Sequence, residues 1–560
     1  MNEVETNVAI TGPSALRARV SERAACAVGA HWHLWVALVL LGTAIVTFYR
    51  LGDGSLWDQD ETKYAQVARE ILETGDPVTL HINGRPWYVH PPLYMWLVAA
   101  TGRAAGFTEF TVRAWSAVAS VLAVYATALL GRALFSPRAG VFAGAILAVT
   151  LQFLFQSRLA VFDTVLLAWM LLAMYAFVRA YARGRRDDYL RFFLFTGLAT
   201  LTKGPIGLLL PGLTIVPFVT LRRSWHRWRE VPWAAGLALY AVVGLSWYAA
   251  ETWLHGREFV STVLGYYGLG RFFGVVENQA GPWYYYVPVV LLGAFPWTAF
   301  WPAAAAFHAR RLREDGSLLV LLWCGLIFVF FSAAGTKLPN YVLPIYPFAA
   351  VGVAALWDAA LRPPGVDRGL SLSLALLVAL VAALYAGVRG YLVGLYPDAY
   401  HTYARILLVP AVVLAAGVCL VLLLAAARWR VAAFTTLCVA TAVAWVGVLT
   451  WVVPVVEAQK PMKPLALAIR SALEPGDRIV GYRLSIDASL IYYTDHPVEW
   501  VDAPGDLRRA VCAPGRVFLV ITQKEWDSAR PELPGDLRTL AERGGTNVLL
   551  KPASVSCSRP

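Results

Sequence analysis

The residues able to do chemistry in this chain stand in short clusters between long apolar runs. The first cluster is WDQDETKYAQVARE, where Asp58, Asp60 and Glu61 precede Lys63, Tyr64 and Arg69. His90 follows in YVHPPLY, Asp163 after SRLAVF, Lys203 in LTKGP, Arg271 in LGRFFG, and Lys337 and Tyr341 in GTKLPNYVLP. Carboxylates can act as general acids and bases, and fixed lysine and arginine side chains hold phosphate oxygens. Three cations and two carboxylates borne on five separate loops would together bind a phosphate and present a carboxylate to a reaction. Each also has a plainer reading. Acids in a first helical turn favour helix formation, and a lone Lys or Arg beside a membrane can be an anchor that reaches for the interface.

The elements that must position these residues follow from composition. The chain has 560 residues, 58% of them hydrophobic and only 15% charged, where a soluble domain averages about 25% charged. That excludes a disordered, collagenous or coiled-coil chain and an ordinary cytosolic enzyme. The 22 Trp and 25 Tyr suit two interfacial belts. Apolar runs of roughly 17–25 residues, enough to cross a bilayer, begin at His33 and near Thr111, Ala139, Asp163, Phe192, Gly204, Pro232, Tyr284, Ser317, Tyr341, Ser371, Arg405 and Val431. The expectation is a polytopic α-helical membrane protein of about thirteen transmembrane helices, carrying a small C-terminal α/β soluble domain.

Loop charge sets the orientation. If Pro91–Phe107 lies along the interface instead of crossing, then Arg132/Arg138, Arg183/Arg185/Arg186, Arg222/Arg223/Arg227/Arg229, Arg310/Arg311/Arg313, Arg362/Arg368 and Arg428/Arg430 all share the side of the N-terminus. The positive-inside rule then holds at every short loop. Residues 1–32 become a cytoplasmic segment and 33–456 the membrane domain. Its first outer loop spans 51–107, and 457–560 form a soluble domain on the outer face, with short apolar runs at Arg478–Tyr482, Val517–Ile521 and Asn547–Leu550. The net charge of +12 is thus a topology signal that requires no nucleic acid partner. Cys512 and Cys557 share the outer segment and could pair there. No Cys/His metal spacing is present. The chemically capable residues gather on the outer side, which argues against a transporter or flippase, where ionisable groups and broken helices lie near mid-membrane.

Six motifs in order, WDQDETKYAQVAREILETGD, HINGRPWYVHPPLYMW, SRLAVFD, LTKGP, GRFFGVVENQAGPWYYYVP and GTKLPNYVLP, resemble the GT-C type glycosyltransferases that use lipid-linked sugars. The aminoarabinose transferases of lipid A are the nearer group and the protein O-mannosyltransferases the more distant. The resemblance covers roughly Leu51–Pro347 and, beyond it, only the general plan. It implies an inverting enzyme of the bacterial inner membrane, with a polyprenyl-phosphate sugar as donor and lipid A, a protein or another envelope glycan as acceptor. It implies Asp60 as catalytic carboxylate and Asp163 beside it, with Lys203, Arg271 and Lys337 on the donor phosphate. Tyr64, Tyr341 and Glu61 would line the same cavity. The chain departs from the lipid A enzymes at Val89-His90-Pro91-Pro92, where those typically carry Glu-Lys-Pro. His90 replaces a phosphate-binding lysine, or else caps the interfacial helix. The departure also removes the basis for carrying over a metal site, so no obligatory cofactor is expected, with a divalent cation not indicated.

Overall fold

The computed structural model describes residues 30–58, 60–275, 279–361, 367–395, 400–484 and 488–554. Among these, eight helices are long and apolar enough to cross a membrane: Glu109–Leu134, Asp163–Arg183, Trp233–Phe273, Asp315–Ala333, Pro339–Ala360, Arg368–Tyr391, Tyr403–Ala426 and Arg430–Gln459. A ninth is a pair, Tyr286–Gly293 and Trp297–Ala309, bent by 103°. Three shorter apolar helices, Trp32–Phe48, Pro137–Ala148 and Ile206–Leu221, stand among them. The helix Arg186–Lys203 has the length but carries Arg186, Asp187, Asp188 and Arg191 in its first turns. Pro91–Phe107, expected at the interface, holds the helix Leu93–Ala105.

Local rules place the helix ends that carry the chemistry. Thr108 caps the Glu109 helix through a reciprocal bond with Thr111, so the chain enters that span sharply after the helix Leu93–Ala105. Lys203 is the last residue of its helix and is followed by Gly204 at φ +91°, a conformation that glycine adopts without steric cost. Pro205 then starts the next helix. A Cβ on Gly207 would lie 2.5 Å from the Ala199 carbonyl carbon, so the two helices touch backbone to backbone. Small residues commonly allow such contacts between membrane helices.

The C-terminal residues build a five-stranded sheet in the order Val498–Val501, Arg478–Tyr482, Val517–Thr522, Thr546–Lys551, Arg538–Arg543. The first three strands run parallel and the last two antiparallel. Val480, Leu519, Val520, Ile521 and Val548 are fully buried in it. Its helix Ala488–Thr494 lies against the first loop, where Arg69 donates to the Tyr492 carbonyl at 2.9 Å and Asn83 to that of Val498 at 2.8 Å. Cys512 is held in a disulfide. Cys557, the partner expected for it, lies outside the described residues.

Gly207→Val should cost about 1–3 kcal/mol through overpacking, read as a lowered unfolding midpoint in detergent. Gly212→Val, where nothing lies within 4 Å of the new Cβ, should leave the midpoint unchanged. Equal midpoints for the two would show that the close contact is not tight.

Candidate functional site

The helix Asp60–Thr74 begins on the acidic cluster, and its three acids have different fates. Glu61 is 1% exposed. Its Oε1 takes Arg113 Nε at 2.8 Å and the Ala160 amide at 2.6 Å. Its Oε2 takes Arg113 Nη2 and the Trp57 amide, each at 2.8 Å. Burial pushes the Glu61 carboxyl up, but the Arg113 charge and these four N–H donors overcome that and hold it below its ordinary value. Glu61, expected to line the substrate cavity, is instead the buried anchor that fixes the first loop to the Glu109–Leu134 span and to the stretch just before Asp163. Asp58 accepts from Ser489 at 2.7 Å. Asp60 is exposed at the helix start.

One turn on from Asp60, Tyr64 is buried among Trp87, His90, Tyr94 and Phe162 rings. Burial first, and then the charges of Asp60 and Asp163, hold its hydroxyl well above the ordinary phenol value despite the opposing pull of Arg271. Tyr64 therefore stays a donor, and Asp60, Asp163 and Arg271 all act on it. His90 packs 4.5 Å from Phe162. Burial, followed by the charges of Lys203, Arg271 and Lys63, pushes its imidazole well below the ordinary value. The shift favours the neutral imidazole, which keeps one ring N–H to donate.

The cations sit beyond this aromatic floor. Lys203 donates to Asp163 at 2.6 Å, and the other oxygen of Asp163 takes the Asn340 amide at 2.9 Å. The Lys203 ammonium lies 4.9 Å from the Phe162 centroid and 5.2 Å from that of Tyr341. Arg271 reaches the Tyr341 hydroxyl at 3.4 Å. Its segment is stitched to the Lys337 turn through the Gly335 and Thr336 amides. Lys337 itself points elsewhere. It is buried and donates to the carbonyls of Ser332 and Ala334 at 2.8 and 2.7 Å, and burial lowers its pKa. It closes the end of the helix Asp315–Ala333, which corrects its expected place on the donor phosphate.

Asp60, Tyr64, His90, Asp163, Lys203, Arg271 and Tyr341 thus form one electrostatically linked group. Two residues that support this group escaped the sequence. Arg113 lies near the start of an apolar span, where a charge calls for a partner. Asn340 sits inside the quoted LPNY motif without a charge to mark it. Among the described residues no group of three or more His, Cys, Asp or Glu is placed to hold a metal ion. The Glu277 and Asn278 part of the GRFFGVVENQAG motif lies outside the described residues.

Comparison with known proteins bears on the fold and on the resemblance. The family model of dolichyl-phosphate-mannose-protein mannosyltransferases matches residues 89–248. The crystal structure of ArnT from Cupriavidus metallidurans bound to undecaprenyl phosphate superposes with a TM-score of 0.80 at 22% identity, covering 94% of this chain and 99% of that one. The chain shares the ArnT fold. It is a multi-pass membrane protein, and the resemblance carried by the six motifs is borne out. Undecaprenyl phosphate-α-4-amino-4-deoxy-L-arabinose arabinosyl transferase of Pseudomonas aeruginosa is 32% identical over 360 residues, 61% of this chain and 64% of that protein. The Edwardsiella ictaluri protein of the same name is 30% identical over 53% and 55% of the two chains. The chain therefore spans less than two thirds of the length of these curated relatives. An Archaeoglobus fulgidus oligosaccharyltransferase aligns at a TM-score of 0.50 and 14% identity over 90% of this chain and 72% of its own.

Arg113→Met strands the buried Glu61 carboxylate and should cost about 3–5 kcal/mol. The stability that Glu61 contributes should be present above its ordinary value near 4.5 and be lost as pH falls through its lower folded value. Thermal unfolding in detergent reads both effects, and an Arg113→Met chain as stable as wild type would remove the anchor. In the ligand-free protein the His90 imidazole should not titrate near 6.5. Its carbon resonances, assigned by comparison with His90→Gln, test this directly.

Proposed function

We propose that this chain is an inverting glycosyltransferase that moves a sugar, 4-amino-4-deoxy-L-arabinose or a close relative, from a polyprenyl-phosphate donor to lipid A. The observation that carries the reading is the pairing of two oriented cations, Lys203 and Arg271, with an exposed helix-start carboxylate, Asp60, across one aromatic floor. The relatives named above are aminoarabinose transferases, and the matched crystal structure has undecaprenyl phosphate bound. Both support that donor.

The chemistry follows from the charges. As the glycosidic bond to phosphate breaks, negative charge grows on the lipid phosphate and the anomeric carbon becomes oxocarbenium-like. Cations already fixed in a site shielded from water stabilise that charge without reorganising, usually the largest catalytic contribution. Asp163 and Asn340 keep the Lys203 ammonium in place. The acceptor attacks from the face opposite the phosphate, inverting the centre. An acceptor hydroxyl gives its proton to Asp60 as general base; an acceptor phosphate is already ionised, and Asp60 then positions it. The reading needs no obligatory cofactor, and turnover that survives a chelator tests that part.

In this reading the membrane is crossed thirteen times. Nine crossings are the long helices and the bent pair, three are the shorter apolar helices, and one is Arg186–Lys203. The N-terminus is cytoplasmic, and the site lies on the periplasmic face of the bacterial inner membrane. The sheet of residues 457–560 is a small soluble domain on the same face. A second acceptor class is favoured by one observation, the match of residues 89–248 to protein mannosyltransferases, which includes His90-Pro91-Pro92. There the hydroxyl of a protein side chain would replace the lipid A phosphate.

The test is mass spectrometry of lipid A from cells that make the lipid-linked sugar but lack their own transferase. A pentosamine-sized mass gain with the wild-type chain, absent with Asp60→Asn, is expected. Unmodified lipid A with the protein present in the membrane would reject lipid A as acceptor. Lys203→Ala and Arg271→Ala should each weaken donor use roughly tenfold or more, in line with the loss of a charge-assisted bond. Unchanged donor binding in both would remove the phosphate clamp.

A further inference from the structure

Asp60 stands at the start of a helix whose preceding strand of chain, residues 55–58, has no regular structure of its own. That stretch is held residue by residue by the C-terminal part of the molecule. The Ser55 amide donates to Glu457 at 2.7 Å, and the Ser55 carbonyl accepts from Lys460 at 3.1 Å. The Leu56 amide donates to the Tyr493 hydroxyl at 2.8 Å, and that hydroxyl donates to Glu109 at 3.1 Å. The Lys460 ammonium lies 4.0 Å from the Trp57 ring centroid. The Ser489 hydroxyl then donates to the Asp58 carboxylate at 2.7 Å and stands 3.4 Å from the Thr62 hydroxyl. Ser489 and Thr62 are both fully buried. Thr62 in turn donates to the Asp58 carbonyl at 3.2 Å.

Ser489 therefore touches the residue two before Asp60 and the residue two after it. One buried hydroxyl, more than 400 positions away in sequence, brackets the turn that aims the Asp60 carboxylate. From the other side the same turn is gripped by Arg113 through Glu61. We propose that Ser489, acting through Asp58 and Thr62, is a positioning residue for Asp60, and that the C-terminal sheet unit is thereby a working part of the transfer site. This rests on the function proposed above. Holding a reacting group in its productive geometry is worth large factors, and a displacement of about 1 Å can cost about a hundredfold in rate.

The experiment is steady-state kinetics on the purified full chain in detergent, with undecaprenyl-phosphate aminoarabinose as donor and lipid A as acceptor. Wild type, Asp60→Asn, Ser489→Ala, Ser489→Thr, Asp58→Asn and the Ser489→Ala/Asp58→Asn double variant are compared, each with its unfolding midpoint. Ser489→Ala should lower kcat by roughly tenfold or more while the KM for donor and the midpoint stay near wild type. Ser489→Thr, which restores the hydroxyl, should recover most of kcat. The double variant should be no slower than the slower single variant, because both changes cut the same link. Full kcat in Ser489→Ala beside a dead Asp60→Asn overturns this inference and leaves the proposed function standing. So does a lowered midpoint with kcat per folded molecule unchanged, or a double variant whose losses multiply. Wild type without transfer, or Asp60→Asn at full rate, overturns the proposed function and this inference together.

Discussion

The part of this molecule that carries the candidate site depends on one buried ion pair. Glu61 and Arg113 meet through two parallel bonds of 2.8 Å, with side-chain exposures of 1% and 7%. Arg113 also donates to the carbonyls of Leu51, Asp53, Gly54 and Ser55, and Glu61 accepts from Ala160, three residues before Asp163. A single contact thus fixes the chain leaving the first helix, the start of the Asp60 helix and the approach to the Asp163 helix. Desolvating two charges is expensive, and such a pair is weak evidence of net stability. What it supplies is a unique arrangement of three chain segments that share no sequence proximity.

Around that anchor the site is assembled from charges that are already partnered. Lys203 rests on Asp163, which rests on Asn340, and Arg271 rests on Tyr341. An ammonium held against Phe162 and Tyr341 ring faces has exchanged part of its water for fixed aromatic surface, and ring faces attract cations. In the proposed reaction an incoming phosphate would therefore meet cations that are oriented before it arrives. The same enclosure, with the charges of Lys203 and Arg271, pushes the His90 imidazole toward its neutral form.

Much of this was legible in the sequence, for a definable reason. An ionisable residue beside an apolar run is costly, so Asp60, Asp163, Lys203 and Arg271 stand out, and the fold places them on one group. The identity of a partner is not written locally. Glu61 and Asp60 are adjacent and chemically alike, yet one is buried on Arg113 and the other is exposed, a choice made by a residue 52 positions downstream. Lys337 fits a phosphate motif, but its ammonium finds helix carbonyls within five residues. Asn340 carried no charge to single it out. The run from Tyr284 reads as one span, whereas Pro296 lies in the break between two helices set at 103°, as expected where a ring removes a backbone donor.

The placement of Lys337 has a consequence for the field inside the site. The aligned peptide dipoles of the helix Asp315–Ala333 leave the equivalent of about half a negative charge at its C-terminal end. That end adjoins the turn carrying Asn340 and Tyr341, beside the place assigned to a phosphate. Left bare, it would repel the anion that Lys203 and Arg271 attract. With its ammonium on the Ser332 and Ala334 carbonyls, Lys337 offsets that negative end at its source, and in the proposed reaction it would shape the potential around the phosphate without touching it.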